Sequence, residues 1–391
     1  GDNDKAIFGA GSDLQIYHDG SHSYIKDAGT GNLKIQGAAY VILESDEGEI
    51  MLRAQKNDSV KINYDNTTKL ETTSTGIDVT GTAVTDGLTV AGNVSVDGGT
   101  IKLDGDYPTG TENVALGNSA LGSVASGASY NVGIGSEALN QLTTGDNNTA
   151  LGFDAARNTT TASNNTAIGN NALTANTTGT QNTVVGSLAG DANTTGSSNS
   201  VLGYLALSSN TDGGANTAIG HQALFANTTA SNLTAVGKDA LTGNTTGAAN
   251  TAVGAFALEA NTTADNNTAI GLNSLRANTT GAGNTAVGRL ALRTNTTASN
   301  NTAVGLNALT ANTTGTQNVA VGSESMDANT TGNYNSALGN NALGANTTGS
   351  SNVALGIQSL DANTTGSFNV AVGQDALGSN TTAEHNTALG H

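Results

Sequence analysis

The chain of 391 residues has no cysteine, no tryptophan and a single proline, Pro108. Disulfides, thiolate nucleophiles and zinc–thiolate sites are therefore excluded. Aromatic residues make up only 3% of the sequence, too few to anchor a large irregular core. Positive charge is also scarce, with 13 Lys and Arg against 31 Asp and Glu and a formal net charge of −18. This balance argues against nucleic acid as a partner, because phosphate binding needs clustered basic side chains. An anionic membrane surface is disfavoured for the same reason. No apolar run approaches the roughly 20 residues that a spanning helix needs, so membrane insertion is not expected. The chain opens on Gly1 without an initiator Met, as expected of a segment from a longer polypeptide.

Glycine is plentiful, 52 residues in all, and it is placed with a strict period. The string "NNTAIGNNALTANTTGTQ" at residue 164 returns as "NNTAVGLNALTANTTGTQ" at residue 300. Aligned on the glycine that ends N-x-A-x-G, the series is Gly135, Gly152, Gly169, Gly186, Gly203, Gly220, Gly237, Gly254, Gly271, Gly288, Gly305, Gly322, Gly339, Gly356, Gly373 and Gly390, each 17 residues from the next. Gly117 precedes the series by 18. The consensus is N-T-A-[VIL]-G-x-x-A-L-x-x-N-T-T-G-x-x, and it is the signature of a repeat architecture.

Seventeen residues are too few for the common helical repeats, and Asn, Thr and Gly at this density disfavour helix. The spacing predicts a parallel β-solenoid, or β-roll, with one repeat per coil. Two short strands would join at the glycine, the aliphatic residue before it (Ile168, Val185, Leu202, Ile219, Val236) facing inward with the leucine five positions on (Leu173, Leu207, Leu224, Leu241, Leu258). Gly169 and its equivalents supply the bend, and "NTTG" forms a second turn. Stacked coils would align Asn on Asn and Thr on Thr as hydrogen-bonded ladders. Ala167 and Ala172, small enough to admit another backbone, are the expected subunit contact. The aliphatic supply is lean against the entropy of ordering each coil, so several chains, three by expectation, would share one core.

Residues 1–112 are written differently, with 8 of the 13 basic and 18 of the 31 acidic residues. Short alternating runs such as "DLQIY", "NLKIQ", "SVKINY", "GLTVAG", "NVSVDGG" and "TIKLDG" predict strands. Each carries about two inward residues, for example Leu14 with Ile16 or Val60 with Ile62, which suits an intertwined three-chain β-prism or triple β-helix. The fold class expected is thus all-β, in two regions, 1–112 and 113–391, with Pro108 near the joint.

The repeat "NTAVGxxALxANTTGxxNTAVG" resembles those of long phage tail fibres and related bacterial surface fibres. Its N-[TS]-A-[VI]-G core is similar to the left-handed parallel β-roll in the heads of trimeric autotransporter adhesins. The stretches "DNDKAIFGAGSDLQIYHDGSHSYIKDAGTGNLKIQG" and "GGTIKLDGDYPTGTENVALGNSAL" resemble tail-fibre proteins of marine and cyanobacterial phages. What the resemblance implies is a homotrimeric structural fibre of a virion or cell surface, with a host cell-surface receptor, a glycan among the candidates, as its partner.

No catalytic, cofactor or metal site is expected. His18 and His22, near Asp13, Asp19 and Asp27, read as a polar hairpin turn with a metal site as the alternative. Asp46, Glu47 and Glu49 read as a solvated loop, and His221 and His385 as exposed. No P-loop, H-E-x-x-H or G-x-S-x-G is present, so an enzyme is not expected. "NTT" is an N-glycosylation sequon, and it recurs in register at Asn176, Asn193, Asn227, Asn244, Asn261, Asn278, Asn295, Asn312, Asn329, Asn346, Asn363 and Asn380. A stacked Asn ladder is the competing reading of the same residues. The aromatic rings of the repeats (Tyr130, Phe153, Tyr204, Phe225, Phe256, Tyr334, Phe368) are scattered, as in a shaft. Variable pairs after the glycine, such as Phe153-Asp154, His221-Gln222 and Arg289-Leu290, offer weak multivalent adhesion. A bacterial trimeric adhesin, a glycosylated extracellular fibril and an ice-binding solenoid are the alternatives to a tail-fibre shaft.

Overall fold

A computed structural model describes residues 1, 3–81, 110, 112–125 and 127–391. Pro108 and the strands expected from "GLTVAG", "NVSVDGG" and "TIKLDG" lie outside the described residues. The chain divides into two units, Gly1–Thr100 and Ile101–His391, and among the described residues there is no helix.

In the first unit β1 (Lys5–Phe8), β2 (Leu14–His18) and β3 (Ser23–Asp27) form an antiparallel sheet, and β4 (Tyr40–Glu44), β5 (Ile50–Gln55), β6 (Val60–Tyr64), β7 (Thr67–Thr72) and β8 (Ile77–Val79) form a second. The β6–β7 hairpin shows how sequence sets register. Tyr64 pairs with Thr67, and the two residues between them, Asp65 and Asn66, have φ of 51° and 52°. That is the turn whose twist matches the flanking strands, and Asp and Asn adopt it at low cost. Apolar residues do alternate onto common faces, but among the described residues they stay uncovered: Ile16 and Ile62 are exposed, and Ser59 is the only buried residue among those described from 1 to 81.

The second unit is a parallel β-solenoid. Its three-residue strands run from β9 (Val114–Leu116) to β25 (Thr387–Leu389), seventeen in all, each pairing with the strand one repeat later. The register is unshifted, Thr166 opposite Thr183, Ala167 opposite Val184 and Ile168 opposite Val185. The second strand expected in each coil does not form. After Gly169 the chain proceeds through turns, with left-handed φ at Asn171 (54°), Leu173 (55°) and Gln181 (61°). These turns are still tied to the next coil, Leu173 N–H donating to Ala189 O at 3.0 Å and Thr177 N–H to Thr194 O at 2.9 Å. Inter-coil hydrogen bonding therefore continues around the whole coil, though only one wall is a strand.

The inside of the coil also differs from expectation. On a three-residue strand only the central side chain points inward, and that residue is the alanine: Ala150, Ala167, Ala218, Ala235 and their equivalents are fully buried. The aliphatic residue before the glycine faces outward, Leu202 being 51% and Leu338 50% exposed. The lumen is filled by the central side chain of the strand, alanine in most coils but Val184 and Val201 in two of them, packed in one cluster with Leu173, Ala172 and their equivalents from the opposite turn. The alanines are consequently core residues of a single chain and cannot be the subunit contact.

Every glycine of the 17-residue series stands at the corner after the strand, with φ between +123° and +148°. At Gly322 (φ +139°) a Cβ would lie 2.6 Å from the carbonyl carbon of Gly339 in the next coil and overlap its oxygen. Ten residues on, Gly332 occupies a place where other coils carry alanine, as at Ala230, Ala264 and Ala298, always with glycine in the coils on either side. Gly322→Ala should cost at least about 2 kcal/mol, from left-handed strain plus the clash. Gly332→Ala, which recreates an arrangement the chain already uses, should stay within about 1 kcal/mol of the parent. Urea denaturation followed by circular dichroism separates the two, and equal losses would refute the distinction.

Candidate functional site

The polar groups of the first unit serve local turns. Asp19 Oδ1 accepts from the backbone N–H of His22 at 2.8 Å and of Ser21 at 2.9 Å, and these bonds hold its carboxyl below the usual range. His18 Nδ1 lies 3.3 Å from Ser23 Oγ across the same hairpin. Asp27 Oδ1 accepts from Gly29 N–H at 2.9 Å, while Asp13 engages Ala28 N–H through its backbone carbonyl at 2.6 Å. Asp46, Glu47 and Glu49 lie in the turn between β4 and β5, where Glu49 N–H donates to Ser45 Oγ at 3.0 Å. Among the described residues no group of three or more His, Cys, Asp or Glu could hold a metal ion, and no helix is long and apolar enough to cross a membrane.

In the solenoid the chemistry is repeated amide bonding. At the NTT position each side chain from Asn193 to Asn380 donates through Nδ2 to the Oδ1 of the asparagine one coil earlier, as in Asn193 to Asn176 (3.1 Å) and Asn380 to Asn363 (2.9 Å). The same nitrogen donates to the carbonyl three residues ahead, Asn278 to Gly281 at 2.9 Å. Eleven of the twelve sequon asparagines are buried, Asn380 in the last coil being half-buried. The atom that would carry a glycan is thus occupied, and in the folded rod these eleven residues are ladder rungs, not attachment points. Asn210, in Asn-Thr-Asp, serves equally well as a rung without being a sequon.

A second asparagine ladder begins each strand, with Asn182 Nδ2 donating to Asn165 Oδ1 at 3.1 Å and to Gly196 O at 2.9 Å. Leu233 replaces one rung and leaves its backbone N–H to bond Asn216 Oδ1 at 3.0 Å. Threonines form a third row, Thr177 Oγ1 donating to Thr194 O at 3.1 Å.

Two outer surfaces remain. The strand wall presents an aliphatic column (Leu151, Ile168, Val185, Leu202 and onward) beside a column of mostly threonine (Thr149, Thr166, Thr183, Ser200). The turn after the glycine presents variable residues that touch between coils. His221 packs 5.7 Å from Tyr204 there, and on the other turn, just before the strand, His385 stacks on Phe368 at 5.0 Å. Phe256 lies between Lys238 and Arg276, 5.2 and 5.3 Å from its ring centroid. On a neighbouring turn, burial followed by the nearby Glu324 raises the carboxyl of Asp327 above its usual range. These inter-coil contacts become legible only once the coil path places positions 17 apart side by side.

No family model, no curated protein and no solved structure matches this chain. Its class is defined by its own geometry, an all-β chain whose larger unit is a parallel β-solenoid of 17-residue coils.

The NTT ladder starts at Asn176. In the coil before, Thr159 fills that place, buried and with its hydroxyl unpartnered. Thr159→Asn should extend the ladder and raise stability by about 1 kcal/mol. Asn278→Ala, which removes two donated bonds and one accepted bond in mid-ladder, should cost about 1–3 kcal/mol. Paired denaturation curves check both signs.

Proposed function

We propose that this chain is a structural fibre protein, the shaft of a homotrimeric extracellular or virion fibre of the tail-fibre kind, whose work is to span distance and present an adhesive end to a host surface. One observation carries the reading: an aliphatic column runs along the strand wall from Leu116 to Leu389, half-buried at residues such as Ile168 and Val236 and exposed at others, Leu116 to 60% and Leu355 to 42%. A soluble monomer rarely leaves so long an apolar strip bare. Seventeen strands at about 4.8 Å spacing make that strip about 77 Å long, enough for an extended self-contact. The first unit supports the same reading. Its sheets bury almost nothing alone, and three copies of each interleaved as a β-prism would supply the missing core. The outward column replaces the alanines as the subunit contact in this proposal.

Light scattering should give a mass of three times the 38.6 kDa chain. Leu202→Asp with Leu338→Asp, both at positions exposed in one chain, should yield single chains that keep the solenoid's circular dichroism. A parent protein that is already a single chain would sink the proposal. In that event the bare threonine and aliphatic face would favour the ice-binding alternative, which a thermal hysteresis assay reads directly.

A further inference from the structure

Aromatic rings are few in the solenoid, yet several share one column. The residue just before the asparagine that begins each strand is Tyr130 in an early coil, and Tyr334, Ser351, Phe368 and His385 in the last four. The backbone there is left-handed, with φ of 60° at Tyr334, 58° at Ser351, 59° at Phe368 and 61° at His385, so the four side chains leave the rod in the same direction. Neighbours in the column are one rung, about 4.8 Å, apart, and the rings keep that spacing: Phe368 and His385 are stacked in parallel with centroids 5.0 Å apart.

His385 therefore covers one face of Phe368, and the other face is turned back along the rod toward Ser351 and Tyr334. Tyr334 and Phe368, two rungs apart, hold their rings about 10 Å from each other, too far to stack on one another. Between them Ser351 is half-buried, whereas every other described member of the column is exposed. The two rings thus form the walls of a slot with a small side chain as its floor. Tyr334 is 61% and Phe368 55% exposed, so the slot opens to solvent.

Charge and shape set what fills it. Ring faces are negative, and a cation midway would lie about 5 Å from both centroids, inside the roughly 6 Å at which a ring face holds a cation. This part of the chain supplies none of its own: residues 294–391 carry Glu324, Asp327, Asp361, Asp375 and Glu384 and no Lys or Arg. The floor offers one hydroxyl, so a primary ammonium, compact and strongly hydrated, would give up water without finding acceptors for its N–H groups. A quaternary ammonium has no N–H to satisfy, and its methyl groups meet both walls. We propose that the slot between Tyr334 and Phe368 binds a quaternary ammonium group, such as the trimethylammonium of choline, free or on a lipid headgroup. The slot belongs to a single chain, so the inference goes beyond the fibre reading and does not depend on assembly.

The test is calorimetric titration of the full chain with choline chloride, with its uncharged isostere dimethylbutanol and with glucose. Choline should bind at least about fivefold more tightly than either. Phe368→Ser should weaken it by about the same factor. Ser351→Tyr fills the slot with a residue the column already carries at Tyr130 and Tyr334, and should abolish binding with the circular dichroism unchanged. Tyr130→Ser should leave binding unaltered, because Asn164 and not a ring stands two coils on. Sedimentation with phosphatidylcholine vesicles then tells a lipid source from free choline. No choline bound, the isostere or glucose bound as tightly, or equal affinity in the Ser351→Tyr variant would overturn the assignment.

Discussion

The constraint on which this structure depends is that a polar side chain inside the coil must be satisfied by the solenoid itself, through its counterpart 17 residues away and through the backbone carbonyls of nearby turns. An asparagine amide has two donors and an acceptor oxygen, and in the lumen each rung accepts from the coil above, donates to the coil below and closes its own turn. A buried amide left unmet costs about 1–3 kcal/mol; one in mid-ladder is met on every side. This explains how a lumen lined mostly by single methyl groups and one leucine per coil holds together without aromatic residues. The ladder tolerates the one extra residue between Asn113 and Asn131, across which Asn131 Nδ2 still donates to Asn113 Oδ1 at 3.2 Å. After Asn131 no insertion is found. Stability in such an array is a property of interfaces between coils, so the first and last coils are its weakest members.

The period, the parallel stacking, the corner glycines and the ladders were legible in the sequence because each follows from repetition itself. A residue that returns every 17 positions must stack on its own kind in a solenoid, whatever path the coil takes between. What could not be read was the path. Expecting Ile168 and Val185 inward rested on the rule that the larger apolar side chain is buried. In this coil the strand is three residues long, and its one inward place is the central one, held by Ala167 opposite Leu173 and by Val184 and Val201 in the next two coils. The alternation of the strand then forces the neighbours of Ala167 outward, Thr166 on one side and Ile168 on the other. The same misreading hid the outward column and assigned the subunit contact to alanines that are buried. The sequons were ambiguous for a related reason. Asn-Thr-Thr describes an attachment signal and a ladder rung equally well, and only the burial of Asn278 and its equivalents separates the two.

The two outer surfaces carry different amounts of information. The strand wall is nearly uniform, its aliphatic column varying only among Val, Ile and Leu from β9 to β25, and uniformity is what contact with an identical copy requires, since each rung must meet an equivalent rung. The turn after the glycine is the opposite. Its first position runs through Phe153, Asn170, Ser187, Tyr204, His221, Lys238, Ala255, Leu272 and Arg289, a set no self-complementary surface would need.

Such variety is free to exist because these turn side chains stand outside the ladders, which hold the backbone whatever the turn displays. Charge follows the same division. The lumen and the strand wall are nearly uncharged, so all of the solenoid's ionic character falls on the turns, where a change of two or three residues alters one level of the rod and leaves the others untouched. Two arginines without a neighbouring carboxylate, Arg289 and Arg293, thus create a distinct level on an acidic rod at little cost to folding. A ligand that recognises this chain by its side chains must therefore meet it on the turns.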